Sequence, residues 1–277
     1  MRISLMMTLV LSLYGLHGLA QEPDQPSRKA ERAALRAQRT HYLSLDAGTT
    51  YGQTLDARMA ANRYFGAGLQ LAIGGETQSP RGLKQTRYLD TRFLVLVPSH
   101  VSSMTFNTFN ESYGTYFRNV RTLGAWTLRA GGGWSVLANA RINPSLGNSA
   151  FNTDAAVSAV AAGNLNRAVR LPLLGTWDLA YTLRLPLVSY LNRLPAYGLS
   201  GLGGTSSFVV PVGVFTRVNS SISLTRPISK GNPNLHRFAY AWDFYAFNDN
   251  EIHPLRVANH TLTYTLLIRT GKITTTP

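Results

Sequence analysis

Apolar and polar side chains alternate along most of the chain beyond Thr40. In the clearest run, Gly175–Leu187, the odd positions are almost all apolar and the even positions are small, polar or charged. Arg237–Ala246 and Thr261–Arg269 repeat this period of two. Because successive side chains of a β-strand point to opposite faces, each run predicts a strand with one apolar and one polar face.

Weaker alternation and the spacing of turn residues extend this pattern over residues 40–270. Together with the three clear runs, nine further segments bring the prediction to twelve strands, with no helical domain among them. The nine segments are 42–48, 64–73, 84–97, 102–109, 121–130, 133–142, 153–163, 206–217 and 219–227.

The composition of the polar face decides between two architectures. A soluble sandwich turns its polar face to water and normally covers it with Lys, Glu and Asp. Here that face consists of Gly, Ala, Ser and Thr with isolated Asp and Arg, and the whole chain has four Lys against 23 Arg. Arginine suits paired positions inside an enclosed lumen better than lysine does. The sequence therefore predicts an all-β fold: a transmembrane antiparallel up-and-down β-barrel of about twelve strands, within a range of 10 to 14.

Aromatic residues on the apolar faces leave two interpretations open. Tyrosine and tryptophan favour the two membrane interfaces, and they are also common in the core of a soluble sandwich. The residues concerned are Trp126, Trp177, Tyr181, Tyr240, Trp242 and Tyr264.

The first residues of the chain have the pattern of a secretory signal. Arg2 is followed by the apolar run Ile3–Leu16 and by the small residues Gly18 and Ala20, which predicts a signal peptide over residues 1–20 with cleavage after it. We expect a periplasmic basic segment over residues 21–39, the barrel over residues 40–270 and a tail over residues 271–277.

Composition and charge exclude several classes of protein. A chain with 44% hydrophobic and 14% charged residues is too apolar to remain disordered. It contains no cysteine, which excludes disulfide scaffolds and thiol chemistry. The net charge of +14 would suit nucleic acid, but an exported protein rarely meets it, and the basic residues are scattered. An exported protein meets anionic lipid headgroups instead, and these attract the same side chains.

Two segments resemble those of Gram-negative outer-membrane β-barrel proteins: Leu183–Tyr197, with the sequence LRLPLVSYLNRLPAY, and His260–Arg269, with the sequence HTLTYTLLIR. The resemblance implies an outer-membrane location and a porin-like protein of the cell envelope. It also implies outer-membrane lipids, including lipopolysaccharide, as expected partners. Many such barrels end on an aromatic residue, whereas this chain continues to Pro277.

The candidate chemistry is sparse. Some barrels of this class hydrolyse lipids with a Ser/His pair, but the segments around the histidines lack the His-Ser-Asn-Gly type of signature. No two histidines have the i, i+2 spacing of a metal site on a strand, and no cofactor motif is present. We read Gly131–Gly133 as turn or bulge glycines. No catalytic, metal or cofactor-binding residue is therefore predicted. The histidines beyond the signal are His41, His100, His236, His253 and His260.

The candidate functional residues are the charges predicted to face the lumen, six basic and four acidic. As a structural network they would pair and block the bore, since isolated enclosed charges are costly. As a functional site, the excess of arginine would favour an anion-selective passage or an anion-binding site. The residues are Asp46, Asp90, Arg92, Arg129, Asp178, Arg184, Arg217, Arg237, Asp243 and Arg269.

These observations predict a non-enzymatic outer-membrane protein that acts as a small channel or as a scaffold for an envelope protein complex. The alternative is a lipid hydrolase of the phospholipase or lipid A deacylase type. The sequence specifies neither the transported solute nor the oligomeric state.

Overall fold

The alternating segments form antiparallel β-strands in a computed structural model that describes residues 38–57, 60–80, 82–98, 103–149, 151–193, 206–211, 214–247 and 254–270. The chain divides into two units, Met1–Arg39 and Thr40–Pro277. The predicted signal peptide, nearly all of the predicted basic segment and the predicted tail lie outside the described residues.

Eleven strands are present in the described ranges, and a short 3-10 helix at Pro144–Ser149 connects two of them. No helix in these ranges is long and apolar enough to cross a membrane. The strands are β1 (Thr40–Asp56), β2 (Ala60–Gln78), β3 (Lys84–Pro98), β4 (Thr105–Leu123), β5 (Trp126–Ile142), β6 (Phe151–Leu171), β7 (Gly175–Arg193), β8 (Ser206–Pro211), β9 (Phe215–Pro227), β10 (Leu235–Phe247) and β11 (Leu255–Arg269).

The sheet closes on itself. Strands β1 to β7 pair in sequence order, β9, β10 and β11 follow, and β11 pairs with β1 from Tyr42↔Arg269 to Asp56↔Leu255. Strands β8 and β9 both pair with β7, through Val188↔Pro211 and Arg184↔Asn219. They therefore occupy one position in the barrel. The described strands occupy ten positions in the barrel. This number lies inside the predicted range of 10 to 14, but it is lower than the predicted twelve.

A run of glycines and two strands that share one position account for the difference. The glycines between segments 121–130 and 133–142 predict two separate strands, but Gly131–Gly133 lie inside β5. The turn is seven residues earlier, at Gly124, whose φ of 59° suits a glycine. Segments 206–217 and 219–227 share the position of β8 and β9.

Apolar side chains cover the outside of the barrel. On β1 and β2 the outward positions from Leu43 to Tyr51 and from Phe65 to Ile73 carry no charge. A nine-residue strand segment tilted by about 40° spans roughly 20 Å, close to the apolar band of a transmembrane barrel. The large exposed apolar residues of this surface include Leu45, Leu69, Leu71, Ile73, Leu89, Phe93, Val95, Phe106, Trp134, Val157, Ile222, Phe238 and Leu262.

The six aromatic residues singled out in the sequence all take outward positions. Most are exposed or half-buried, but Trp177 is only 6% exposed. The guanidinium of Arg226 lies 5.1 Å from the centroid of the Trp177 ring. The indole Nε1 of Trp177 donates a hydrogen bond to the Leu174 carbonyl at 3.1 Å. Arg167 similarly covers Trp126, at 5.0 Å. Both Arg–Trp pairs lie toward the end of the barrel where β1 begins and β11 ends, which we call the base end.

The connections differ at the two ends of the barrel. At the base end they are residues 79–83, 124–125, 172–174 and 228–234. At the opposite end, which we call the loop end, they are 57–59, 99–104, 143–150, 194–205 and 248–254. Outer-membrane barrels combine short turns at one end with longer loops at the other.

Candidate functional site

The lumen is the candidate site, and its loop-end half is filled by apolar side chains. These residues pack against one another from seven strand positions and leave a void of about 20 Å³ along one side, room for about one water molecule. This half of the lumen is a packed core. Its residues are Phe109, Leu137, Ala156, Leu191, Val210, Phe215, Tyr245, Phe247, Leu255 and Val257.

An ion cluster around Asp56 lies in the same half; we call it the loop-end cluster. Asp56 accepts hydrogen bonds from Arg141 Nε at 3.0 Å, Arg193 Nη2 at 2.5 Å and Asn152 Nδ2 at 3.0 Å. Arg141 also pairs with Asp154, and its side chain is 0% exposed. The cluster joins strands β1, β5, β6 and β7 across the lumen.

A second ion cluster, the central cluster, joins β3, β4, β9 and β10. Arg92 donates to Asp90 through Nε at 3.0 Å and Nη2 at 2.7 Å, and its Nη1 lies 3.3 Å from Asp243. Arg217 forms a bidentate pair with Glu111, at 2.8 and 2.7 Å, and also donates to Asp243 at 3.0 and 2.9 Å. The two arginines thus clamp Asp243 from two strands.

A third ion cluster, the base cluster, surrounds the buried carboxylate of Glu76. Arg237 donates to both of its oxygens, at 2.5 and 3.0 Å, and Lys84 Nζ lies 3.6 Å away. The Tyr88 hydroxyl donates to Glu76 at 2.6 Å, and its ring stacks on Tyr113 with centroids 5.4 Å apart.

Taken together, the three clusters contain equal numbers of basic and acidic side chains. The ion pairs in the described ranges join six basic and six acidic side chains: Lys84, Arg92, Arg141, Arg193, Arg217 and Arg237 with Asp56, Glu76, Asp90, Glu111, Asp154 and Asp243. Such a buried pair gives little net stability, but removing one partner leaves an uncompensated charge and costs about 3–5 kcal/mol.

A polar cavity of about 150 Å³ occupies the base-end half of the lumen. Residues of the base and central clusters form one wall, including Glu76, Lys84 and Arg92. The opposite wall carries small and hydroxyl side chains: Ala180, Thr182, Ser221, Ser223, Ala239, Ala241, Thr261, Thr263 and Thr265. The lumen is therefore a polar pocket at one end and a packed core at the other.

The structure brings four of the ten predicted lumen charges together: Asp90, Arg92, Arg217 and Asp243 form most of the central cluster. Arg237 belongs to the base cluster.

The other five predicted residues lie apart. Arg184 donates to Asn219 at 2.8 and 3.1 Å and stacks over Tyr113, whereas Asp46 accepts from Ser44 at 2.7 Å. Arg129, Asp178 and Arg269 lie near the base end; Arg129 donates to Asn119, Asn166 donates to Asp178, and Arg269 is exposed.

Sequence reasoning missed seven lumen charges: Asp56, Glu76, Lys84, Glu111, Arg141, Asp154 and Arg193. Asp56, Glu76, Glu111 and Arg193 fall outside the predicted segments because the true strands are longer. Extending the two-residue period past the apolar band would have placed the three acidic residues on the inner face. It would have placed Arg193 on the outer face, because the register of β7 shifts at Leu187. These seven residues add three basic and four acidic side chains to the predicted six and four, so the excess of basic side chains falls from two to one.

Three histidines belong to the described ranges. His41 Nδ1 lies 3.0 Å from Thr77 Oγ1, and His260 Nδ1 lies 2.7 Å from the Tyr240 hydroxyl on the outer face. His236 packs against aromatic rings, also on the outer face. Within the described part of the chain, no group of three or more His, Asp or Glu side chains could hold a metal ion. His100 and His253 lie outside the described residues.

A closed sheet, an uncharged apolar belt and an ion-paired polar interior together define a β-barrel of the outer-membrane type. No protein-family model and no curated protein sequence matches the chain.

Several solved barrels are similar in fold. The outer-membrane protease OmpT of Escherichia coli is 11% identical, with 84% of this chain and 96% of that one covered, at a TM-score of 0.41. The translocator domain of the autotransporter NalP of Neisseria meningitidis is 11% identical, with 87% and 95% covered, at 0.40. The toluene transporter TodX of P. putida is 9% identical, with 85% and 91% covered, at 0.24. These similarities concern the barrel fold alone.

Proposed function

We propose that this protein is an outer-membrane barrel with a closed lumen that serves as an anchor or scaffold for an envelope protein complex. The observation that carries the proposal is the filled loop-end half of the lumen, where apolar packing and the loop-end cluster occupy the same cross-section.

A solute crossing the barrel would have to separate buried charges. Arg141 is fully buried between Asp56 and Asp154, and Arg193 holds the other oxygen of Asp56. Opening this cluster would expose each charge to a region with no room for a hydration shell, at a cost of several kcal/mol. Such a barrier disfavours a constitutive channel, and a protein with no continuous pore is suited to holding other components at the membrane.

We place the base end in the periplasm and the loop end outside the cell. The asymmetry of the connections supports this orientation, because bacterial barrels have short periplasmic turns and longer external loops. The expected basic segment before β1 would then lie in the periplasm, available to a partner.

The base-end cavity favours a second candidate function, a small channel that opens on demand. The cavity is polar, and its charged wall contains residues of the central cluster that separates it from the packed half. Movement of that cluster would connect the cavity with the loop end.

Planar-bilayer recording of the purified full chain separates the two functions. We expect no discrete conductance steps from the wild type, because the lumen is closed, and rare steps from Arg141→Ala, which vacates the loop-end cluster. Arg118→Ala, at an exposed outward position on β4, is the matched control and should be silent. Regular steps from the wild type that change in Arg92→Ala would contradict the closed scaffold and support the channel.

The lipid-hydrolase alternative requires an imidazole within hydrogen-bond reach of a serine hydroxyl. The hydrogen bonds and ring contacts of His41, His236 and His260 within the described residues involve no serine hydroxyl, so a Ser/His site would involve His100 or His253. Release of fatty acid from outer-membrane lipid that disappears in either His100→Ala or His253→Ala would support it.

A further inference from the structure

Two arginines lie next to each other on the outer face, just beyond the apolar belt at the loop end. Arg63 on β2 and Arg256 on β11 each pair in register with Leu55 of β1, one on either side. All three positions face outward. The two backbone positions are thus about two strand spacings, or roughly 10 Å, apart.

Neither guanidinium is neutralised within the described part of the chain. Both side chains are exposed, and the ion pairs formed there involve other residues. Their outward neighbours Gln53 and Ala246 are uncharged. Two like charges held together on an uncharged surface make a site for an anion.

A groove of about 160 Å³ lies between the two arginines. Gln53, Leu55, Phe244 and Ala258 line it along with Arg63 and Arg256. The two arginines give the groove positive charge and Gln53 adds an amide, whereas Leu55, Phe244 and Ala258 are apolar. A ligand that fits both parts must combine an anionic headgroup with an apolar tail.

The position along the barrel indicates a membrane lipid. Immediately toward the base end, Trp242 stacks with Phe244, and the Tyr240 hydroxyl contacts His260 next to Tyr51. Aromatic rings of this kind mark the interface between the apolar band and the headgroups. Arg63 and Arg256 therefore lie at the depth of lipid phosphates.

We propose that Arg63 and Arg256 form a binding site for a phosphorylated lipid, namely a phosphomonoester of the lipid A part of lipopolysaccharide. A phosphomonoester carries a charge of about −1.5 to −2, which matches two guanidiniums, whereas the phosphodiester of a phospholipid carries one negative charge. Arginine also binds phosphate oxygens in a bidentate manner. The inference rests on the outward orientation of the loop end proposed above.

Lipid retention tests this site directly. The full chain is purified in a neutral detergent, incubated with bisphosphorylated lipid A, and analysed by native mass spectrometry for bound lipid. The double variant Arg63→Gln/Arg256→Gln should retain at least about tenfold less lipid A than the wild type. The matched control Arg118→Gln/Arg121→Gln, which removes two exposed charges near the base end, should retain as much as the wild type.

Three further measurements of lipid retention determine the class of ligand. Dephosphorylated lipid A and phosphatidylglycerol should bind weakly, and millimolar inorganic phosphate should not displace lipid A, because it lacks the apolar part. Equal retention by the double variant, or equal binding of phosphatidylglycerol, would overturn the proposal. Heat-modifiable migration on a gel verifies that each variant is folded. Conductance is a separate readout, so a conducting wild type would overturn the closed scaffold without affecting this result.

Discussion

At the scale of single residues, the lumen is organised by arginine. Each of the loop-end and central clusters uses the guanidinium as a fork that satisfies two carboxylates, as Arg141 does with Asp56 and Asp154. Lysine, a single point of charge, appears once in the three clusters, at the partly exposed Lys84 of the base cluster. The high ratio of arginine to lysine in the sequence therefore has a structural cause: the interior charges are shared among strands, and a planar side chain with several donors meets that need.

The cost of breaking one such fork can be measured. Arg141→Ala should lower the free energy of unfolding by about 3–5 kcal/mol, because it leaves Asp154 and part of Asp56 uncompensated in a buried site. Arg118→Ala, at an exposed outward position, should change it by less than about 0.5 kcal/mol. Urea unfolding in lipid vesicles provides the measurement. Equal stability of both variants would show that water reaches the loop-end cluster.

At the scale of elements, the strands could be predicted where the apolar face is continuous and were misjudged where it is not. Runs such as Gly175–Leu187 lie fully within strands. The part of β4 from Asn110 to Val120 was missed because Tyr113 and Phe117 face inward, which removes the apolar-outside pattern. In β5 the run Gly131–Gly133 predicted a turn, because consecutive glycines usually mark one, but the three residues lie inside the strand. Here Gly131 and Gly133 allow β5 to approach the β4 backbone closely.

The glycines of β5 provide a test of that close approach. A methyl group added at Gly131 would overlap the Tyr116 carbonyl oxygen, so Gly131→Ala must shift β5 against β4. We expect a loss of about 1–3 kcal/mol in the free energy of unfolding. Gly163→Ala on β6 is the matched control, since no atom lies within 4 Å of the added methyl. Similar stability of the two variants would contradict the assigned β4–β5 register.

At the scale of the whole molecule, the sequence predicted an apolar outer face and a polar inner face. It did not predict that the lumen is divided into a polar cavity and an apolar core. The inner-face composition of Gly, Ser, Thr and Arg indicated a lumen. However, residues such as Phe109, Phe247 and Val257 are an apolar core placed inside the same barrel. Alternation along one strand cannot reveal this core, because it is assembled from single inward residues of distant strands. Four of the seven lumen charges that the sequence did not predict lie beyond the ends of the predicted segments.

The central claim is that the apolar face of each strand contacts lipid, and single cysteines test it cleanly because the natural chain has none. A fluorophore is attached to Leu69→Cys, at the middle of the outward belt, to Val120→Cys and to Ser221→Cys in the cavity. Leu69 and Val120 are 63% and 62% exposed, so the two labels have equal exposure at different depths along the barrel. In vesicles with brominated acyl chains, we expect strong quenching at position 69 and little at 120 or 221. Equal quenching at positions 69 and 120, in a protein that dissolves without detergent, would contradict the account.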